Sequence, residues 1–167
     1  MKAYKFLRPQ GTGVFTGYGW PLPAAGPGEW VSADLDPCHS GIHACAVYHL
    51  PLWLGRILYE IELDGEIVDD AMKLVASRGR LVRRVDRWDE QAYAEYTRMC
   101  ADRAHELAQE HGLEGWDAVI EPSVPEGGAL LGFIAARIAE EIDGEDGYHR
   151  ERATQTDWLA DRLQLSS

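Results

Sequence analysis

The fold rests on one stretch of the sequence, Arg56-Ile57-Leu58-Tyr59-Glu60-Ile61-Glu62-Leu63. Ile57, Tyr59, Ile61 and Leu63 fall on one face and the two glutamates on the other, and this period of two is typical of a half-buried β-strand. The dipeptide that follows, Asp64-Gly65, is favoured in two-residue hairpin turns because both positions tolerate positive φ. We therefore predict a strand at 56–63, a tight turn at 64–65 and a return strand that begins at 66–68.

Shorter segments extend the predicted sheet. In residues 3–7, Tyr4 and Phe6 fall on one side of a strand and the other three side chains fall on the opposite side. Three further strands are predicted at residues 41–47, 72–76 and 116–121, with a turn of helix around Pro51.

A long ordered loop is predicted between residues 9 and 37, which hold most of the prolines and many of the glycines. Loops of this length often form binding loops or lids. Aromatic side chains would hold this loop to the body of the protein: Phe15, Tyr18, Trp20 and Trp30.

The second half of the chain changes to a helical spacing of three to four residues. Apolar side chains recur at this spacing from Trp88 to His111, Asp86 can cap the start, and Gly112-Leu113 supplies a C-terminal stop. Ser123-x-x-Glu126, with Pro125 between, has the pattern of a capping box. We predict a second helix from this box to Gly144 and a last helix at about 148–163.

Strands followed by helices indicate an α+β fold. We expect a small mixed or antiparallel sheet from the N-terminal half, packed against about three helices from the C-terminal half. The 167 residues fit a single domain, with mainly strands and loop in residues 1–76 and mainly helices in residues 86–165.

Charge and composition limit the functional classes. The chain is 46% hydrophobic and has a formal net charge of −12, which disfavours binding to nucleic acid or to an anionic membrane. Residues 1–9 lack the apolar core of a signal peptide, and no apolar run is long enough to span a bilayer. The three cysteines form an odd set that does not make a secreted disulfide framework. We expect reduced thiols and a cytoplasmic location.

A Cys/His cluster stands out at Cys38-His39-x3-His43-x-Cys45. Zinc favours four Cys and His donors, so Cys38, His43 and Cys45 are the candidate ligands if a metal binds, although adjacent Cys38 and His39 suit one ion poorly. His43 and Cys45 share a face of the predicted strand and could also act as base and nucleophile. The alternative, which we favour, is a buried thiol beside a hydrogen-bonded core histidine, and hence no metal.

Five arginines lie within residues 78–87 of this otherwise acidic chain. Their guanidinium groups suit phosphate or carboxylate, so Arg80 and Arg83, with Trp20 and Trp30 from the loop, are candidate ligand-binding residues. We favour the alternative that these arginines form ion pairs with the Glu60 and Glu62 face.

The segment from Cys38 to Cys45 resembles a group of small bacterial and phage proteins that carry Cys-x-x-Gly-aromatic-or-aliphatic-His-x-Cys. This resemblance covers about residues 1–70 and implies no stated function. The order of strands and short helix is also similar to the first half of ADP-ribosyltransferase-like domains. That similarity implies Arg8, His43 and Glu121 as catalytic residues that would hold the NAD pyrophosphate, order the nicotinamide ribose and stabilise an oxocarbenium-like transition state.

Two functional hypotheses follow. The first is a small-molecule or nucleotide-binding enzyme of ADP-ribosyltransferase-like architecture, with Arg8, His43 and Glu121 converging in a cleft. The second is a non-catalytic protein–protein interaction module whose aromatic loop and acidic helices contact another protein and whose Cys/His segment serves only the core. Aromatic side chains are enriched at interface hot spots, and the candidates here are Trp20, Trp30, Trp53 and Trp158. The sequence predicts neither a particular cofactor nor a particular partner.

Overall fold

The computed structural model describes residues 1–36, 40–123 and 127–165. It confirms the α+β class, with antiparallel strands in the N-terminal half and helices in the C-terminal half. The described residues cluster into two compact units, a sheet unit up to Asp89 and a helical unit from Glu90. The elements are β1 (Lys2–Leu7), β2 (Val31–Ser32), β3 (Ile42–Ala44), a 3₁₀ helix (Val47–Leu52), β4 (Ile57–Asp69), β5 (Leu74–Arg84), α1 (Glu90–Glu110), α2 (Asp117–Ser123) and α3 (Gly128–Leu163).

The strands of the sheet unit pair in a ring. Hydrogen bonding runs from β1 to β4 to β5, and β5 also pairs with β2 and β3. An isolated bridge between Tyr4 and Cys45 then joins β1 to the end of β3, with both backbone hydrogen bonds made, at 2.7 and 2.8 Å. β1 therefore has a neighbour on each side, and the strand order returns to its starting point.

One face of this ring forms the core of the sheet unit. Ala3 and Leu7 of β1 lie in the same apolar cluster as Ile61 of β4, which is directly opposite Ala3. The members of this cluster are the side chains that alternation places on one face, which confirms the period-two patterns of residues 3–7 and 56–63. Tyr4, Phe6 and Leu58 on the opposite face are buried as well. The cluster also contains Trp20, Ile42, Ala44, Tyr59, Leu63, Leu74, Ala76 and Leu81.

The predicted hairpin turn at Asp64-Gly65 is wrong. β4 continues to Asp69, and Gly65 instead occupies a shift in the pairing with β5, at φ +76°. A Cβ at this glycine would overlap the hydroxyl of Ser77, which accepts a hydrogen bond from the Glu66 amide at 3.1 Å. Gly65 does adopt the positive φ that the hairpin prediction required, but it does so in a β-bulge. Glycine within a strand often marks a bulge for this reason.

α1 follows the predicted spacing closely. It runs from Glu90 to Glu110 and buries the side chains of Tyr96, Cys100, Ala104 and Leu107, which lie three or four residues apart. The predicted stop at Gly112-Leu113 is also confirmed, because Gly112 has φ +63° and the Leu113 amide donates to the Ala108 carbonyl at 2.9 Å.

The strand predicted at residues 116–121 is wrong, since this segment forms α2. Asp117 occupies its first turn, and the Trp116 carbonyl accepts hydrogen bonds from the amides of Val119 and Ile120. Ile120 is buried and Val119 is exposed. A short apolar run is compatible with either a strand or a helix. In this segment the hydrogen bonds to the Trp116 carbonyl favour the helix.

α3 contains the two last predicted helices. Helical geometry is interrupted at Asp143 and Gly144, and Gly144 has φ +67°. Beyond the interruption the chain folds back, because a Cβ at Gly147 would overlap the carbonyl oxygen of Ala139. Gln155 then reaches Gly132, donating to its carbonyl at 3.0 Å. Segments 128–142 and 145–163 therefore form an antiparallel pair. The predicted capping box lies partly outside the described residues.

None of the helices in the described ranges has the length and apolar character that crossing a bilayer requires. The prediction of one domain for residues 1–167 stays a prediction.

Candidate functional site

Cys45 lies in the sheet unit as a free and buried thiol. Burial raises the pKa of Cys45 to about 12, and the nearby charge of Lys5 opposes this only in part. Nucleophilic cysteines need a lowered pKa, so Cys45 is set up as a core residue rather than as a thiolate. Cys100 in the helical unit is likewise free and buried, and its pKa is raised to about 12 by burial.

His43 lies on β3, two residues before Cys45, and is partly buried. Burial lowers the pKa of His43, the charges of Lys73 and Lys5 lower it further, and Asp70 opposes them. Its Nε2 is buried and has no hydrogen-bond partner among the described residues. The ring is therefore neutral. Within residues 1–36, 40–123 and 127–165, no three His, Cys, Asp or Glu side chains are grouped to hold a metal ion, and Cys38 lies outside these ranges.

Arg8 and Glu121 lie in different units. Arg8 follows β1, and its guanidinium donates to the Val14 carbonyl at 2.6 Å. Glu121 lies in α2, with its carboxylate 3.3 Å from Nε2 of His105. The catalytic role implied for Arg8, His43 and Glu121 stays a prediction.

The arginine cluster is paired along the sheet, as the favoured alternative predicted. Arg80 makes two contacts to one carboxylate oxygen of Glu62, at 2.7 and 2.8 Å, and Arg83 contacts Glu60 at 2.9 Å. Trp30 lies against this row, with its ring centroid 4.6 Å from the Arg80 guanidinium. Cross-strand ion pairs account for these positions, and a ligand-binding role for Arg80, Arg83 and Trp30 stays a prediction.

The sheet unit carries a surface group of three exposed apolar side chains and one partly buried one, which we call the aromatic face. It consists of Phe15, Tyr48, Trp53 and Met72. Phe15 is 82% exposed, and Tyr48 and Met72 are each 55% exposed. The loop supplies Phe15, the 3₁₀ helix and its C-terminal cap supply Tyr48 and Trp53, and the turn between β4 and β5 supplies Met72.

Specific bonds hold the aromatic face together. The Phe15 and Trp53 rings meet edge to face with centroids 5.8 Å apart, and Trp53 Nε1 donates to the Met72 carbonyl at 2.6 Å. The Tyr48 hydroxyl donates to Asp69 at 2.6 Å. Three separate segments are therefore tied to one another at this surface.

His49 supports the aromatic face from beneath. It is almost completely buried, its ring lies 4.2 Å from that of Tyr48, and its Nδ1 accepts from the Ala46 amide at 3.2 Å. Its Nε2 lies 3.8 Å from an Asp69 oxygen. Burial lowers the pKa of His49, opposed by Asp69 and by the backbone of Ala71. The hydrogen bond to Asp69, with smaller effects of burial and of the carboxylate charge, raises the pKa of Tyr48.

The sequence predicts Phe15 in the long loop and Trp53 in the helical turn around Pro51, and Trp53 is among the candidate interface residues. The sequence does not predict that these two rings meet, and it gives no role to His49. The detectable signal was Tyr48-His49 next to Trp53 in a segment too short to bury all three rings.

A cavity of about 320 Å³ lies within the helical unit, beside the interruption of α3. Glu151 is one of its lining residues, is 3% exposed, and accepts from Arg103 Nε at 3.1 Å and from Gln155 at 3.2 Å. Arg150 and Asp143 also line it and form an ion pair with each other. The buried carboxylate of Glu151 is therefore already satisfied by protein donors.

Comparisons with protein-family models, with curated proteins and with solved structures found no match to this chain. The function therefore has to be argued from the sites themselves.

Proposed function

We propose that the protein is a non-catalytic interaction module, and that its aromatic face binds an apolar protein segment flanked by basic residues. The exposure of Phe15 in edge-to-face contact with Trp53 carries this proposal. The Cys/His segment then serves the core of the sheet unit, in keeping with the raised pKa of the buried Cys45 thiol.

The composition of the face supports a protein partner. Tyr and Trp are over-represented among residues that dominate binding energy, and Phe and Met are enriched in interfaces. A contiguous apolar surface on a protein is commonly a site of interaction. Phe15, Tyr48 and Met72 are each more than half exposed and occupy neighbouring segments, so burying them would remove apolar area from water.

The face is also organised before binding. Hydrogen bonds fix Tyr48 through Asp69 and Trp53 through the Met72 carbonyl. Side chains that are already held lose less conformational entropy on association, and this raises affinity for a given buried area. Tyr48 and Trp53 are therefore suited to act as anchors.

Acidic side chains next to the aromatic face favour a partner with basic residues. Asp69 and Asp70, on the same turn as Met72, have side chains that are 51% and 49% exposed. The chain as a whole has a net charge of −12, which speeds encounter with a basic partner and disfavours an acidic one.

We favour this function over the nucleotide-binding enzyme for two reasons. The Nε2 of His43 is buried, and the Arg8 guanidinium already donates to the Val14 carbonyl. We propose that the module acts in the cytoplasm, a compartment that suits the free thiols of Cys45 and Cys100.

Selection from a peptide display library tests the proposal, with wild-type protein as bait and the Phe15→Ser variant for counter-selection. Peptides that survive should combine an apolar or aromatic anchor with Lys or Arg. Their affinity, measured by fluorescence anisotropy, should fall at least tenfold in Phe15→Ser, or about 1.4 kcal/mol. Phe133→Ser is the matched control, since Phe133 is an exposed aromatic of the helical unit. Peptides that bind Phe15→Ser as well as wild type, or that are acidic, would overturn the proposal.

A further inference from the structure

His49 is a buried histidine in the short helix that carries part of the aromatic face. It is 1% exposed, and the helix also holds Tyr48 and ends at its C-terminal cap, Trp53. A 3₁₀ helix has poorer hydrogen-bond geometry than an α-helix, and Pro51 within this one contributes no amide donor. The positions of Tyr48 and Trp53 therefore depend on what holds the ends of the helix.

A reciprocal pair of hydrogen bonds holds the N-terminal end. The His49 amide donates to the Ala46 carbonyl at 3.1 Å, and the Ala46 amide donates to Nδ1 of the His49 ring at 3.2 Å. Ala46 is the N-cap and His49 is the third helical residue. In a capping box the side chain at this third position accepts from the N-cap amide, and it is usually Glu or Gln. Here an imidazole makes that bond.

The bond from Ala46 requires the neutral form of the ring. A backbone amide can only donate, so Nδ1 must accept, and the single hydrogen of the neutral imidazole must be on Nε2. Protonation would add a hydrogen to Nδ1, opposite the Ala46 N–H. Two donors would then face each other, so the His49 ring and the Ala46 amide would have to separate. A glutamate at this position would keep its acceptor at neutral and mildly acidic pH, whereas an imidazole loses it.

Asp69, the last residue of β4, faces His49 with its carboxylate. One oxygen lies 3.8 Å from Nε2, and the other accepts from the Tyr48 hydroxyl at 2.6 Å. Asp70 and Lys73, in the turn that follows, lie 3.8 Å from each other. Asp69 favours a charged ring, but it approaches from the Nε2 side. It therefore offers no acceptor to a hydrogen on Nδ1.

β1 also packs against the 3₁₀ helix, and its charged side chains are two lysines. Lys2 lies 3.5 Å from Glu60, and Nζ of Lys5 donates to the His43 carbonyl at 2.5 Å. Nearby cations disfavour a further positive charge. β1 therefore supplies no group that would stabilise protonated His49.

We propose that His49 is an acid-sensitive latch of the aromatic face: its neutral ring holds the 3₁₀ helix, and protonation at Nδ1 frees that helix together with Tyr48 and Trp53. The latch is a property of the free protein, and its consequence, release of a partner in acid, rests on the proposed function. Burial lowers the pKa of His49, opposed by Asp69 and the Ala71 backbone, in keeping with a closed state that excludes the proton.

The direction of the pH effect follows from this difference. A histidine in the opened helix would have an ordinary pKa of about 6.5, and the closed helix lowers that pKa. The opened state therefore binds more protons than the closed state once the pH falls below about 6.5. The closed face is favoured above that pH, and it is lost as the pH falls through the lowered pKa of His49.

NMR of the ¹⁵N-labelled free protein tests the latch without a partner. At pH 8 the ring nitrogens of His49 should show the hydrogen on Nε2 and a lone pair on Nδ1. During titration to pH 4.5, the signals of the Ala46 amide and the Trp53 indole N–H should move with the same midpoint as the His49 ring. A hydrogen on Nδ1 at pH 8, a ring that stays neutral at pH 4.5, or fixed Ala46 and Trp53 signals would each contradict the latch.

Two variants of His49 extend the test to binding. His49→Asn places an amide oxygen where Nδ1 accepts and does not titrate, whereas His49→Phe keeps a ring but has no acceptor. For a peptide selected at pH 7.5, we expect the wild-type Kd to rise at least about tenfold at pH 5.0, and the Kd of His49→Asn to change less than about twofold. His49→Phe should bind weakly at both pH values.

His149→Asn is the matched control, since His149 is an exposed histidine of the helical unit, and this variant should keep the wild-type pH dependence. Circular dichroism at both pH values shows whether each variant is folded. An equal rise of Kd in wild type and His49→Asn would refute the latch, because another group would then cause the acid effect. A display selection that yields no peptide would contradict the proposed function alone, and the NMR titration would still decide the latch.

Discussion

Phe15 meets Trp53 edge to face, with the two ring planes at 86°. The loop of residues 9–30 contributes the more exposed ring, and the end of the 3₁₀ helix contributes the more buried one. A contact in which one partner is largely in water adds little to the stability of the fold. In the proposed function it serves as a preformed contact for the partner.

Phe15→Ser should therefore separate stability from binding. We expect the free energy of unfolding to fall by about 1 kcal/mol or less, because the variant loses the ring contact with Trp53 while Phe15 itself is largely in water. Urea unfolding followed by circular dichroism measures this change. A loss larger than about 2 kcal/mol would show that Phe15 is needed for the fold itself.

Asp69→Asn should lower the pKa of Tyr48 towards that of an ordinary tyrosine. The wild-type pKa is raised mainly because the neutral hydroxyl donates to the carboxylate, and an amide oxygen is a weaker acceptor without a negative charge. Phenolate absorbance measured against pH follows the ionisation, and Tyr48→Phe assigns the signal. An unchanged titration in Asp69→Asn would mean that the hydrogen bond is not made in solution.

The pH dependence of stability should report the buried charge of Lys5. Its folded pKa, about 8, lies below its unfolded value, so the unfolded chain binds more protons between about pH 8 and pH 10.5. Wild type should therefore gain stability relative to Lys5→Met as the pH rises through that window, by about 2 kcal/mol. The difference between the two proteins cancels the effects of titratable groups that do not interact with Lys5, and Cys45, which does interact with it, is replaced by alanine in both proteins. A difference that stays flat from pH 7 to pH 10 would place the Lys5 amine in water.

Glu151→Ala should cost about 3 kcal/mol of stability. The variant removes a buried carboxylate, and Arg103 and Gln155 each lose one acceptor. Gln155 keeps its hydrogen bond to the Gly132 carbonyl, and Arg103 keeps its contact with Glu106. Glu140→Ala is the matched control, because Glu140 pairs with exposed Arg137 and should change stability by less than about 0.5 kcal/mol. Urea unfolding measures both variants. Similar losses in the two would mean that water reaches the Glu151 pair.

Long periodic segments were predictable from the sequence. The alternation at 56–63 and the helical spacing in α1 persist over enough residues that only one structure buries the apolar side chains together. Residues 116–121 are too few for their periodicity to distinguish a strand from a helix. Their helical conformation depends on hydrogen bonds to the Trp116 carbonyl. Gly65 was assigned to the wrong feature because positive φ serves both turns and bulges.

The candidate sites were harder to predict because their residues are distant in sequence. Phe15 and Trp53 meet only after the loop, the 3₁₀ helix and the turn at Met72 have come together.

The bridge between Tyr4 and Cys45 has a consequence for solubility and assembly. A strand at the margin of a sheet offers unpaired N–H and C=O groups on which another chain can add, a common route to aggregation. Because β4 and β3 lie on either side of β1, backbone groups of this strand near the N-terminus are already occupied on both sides. Weakening that bridge would expose β1 as a template for other copies of the chain, so β1 is where misassembly should begin if the sheet unit loosens.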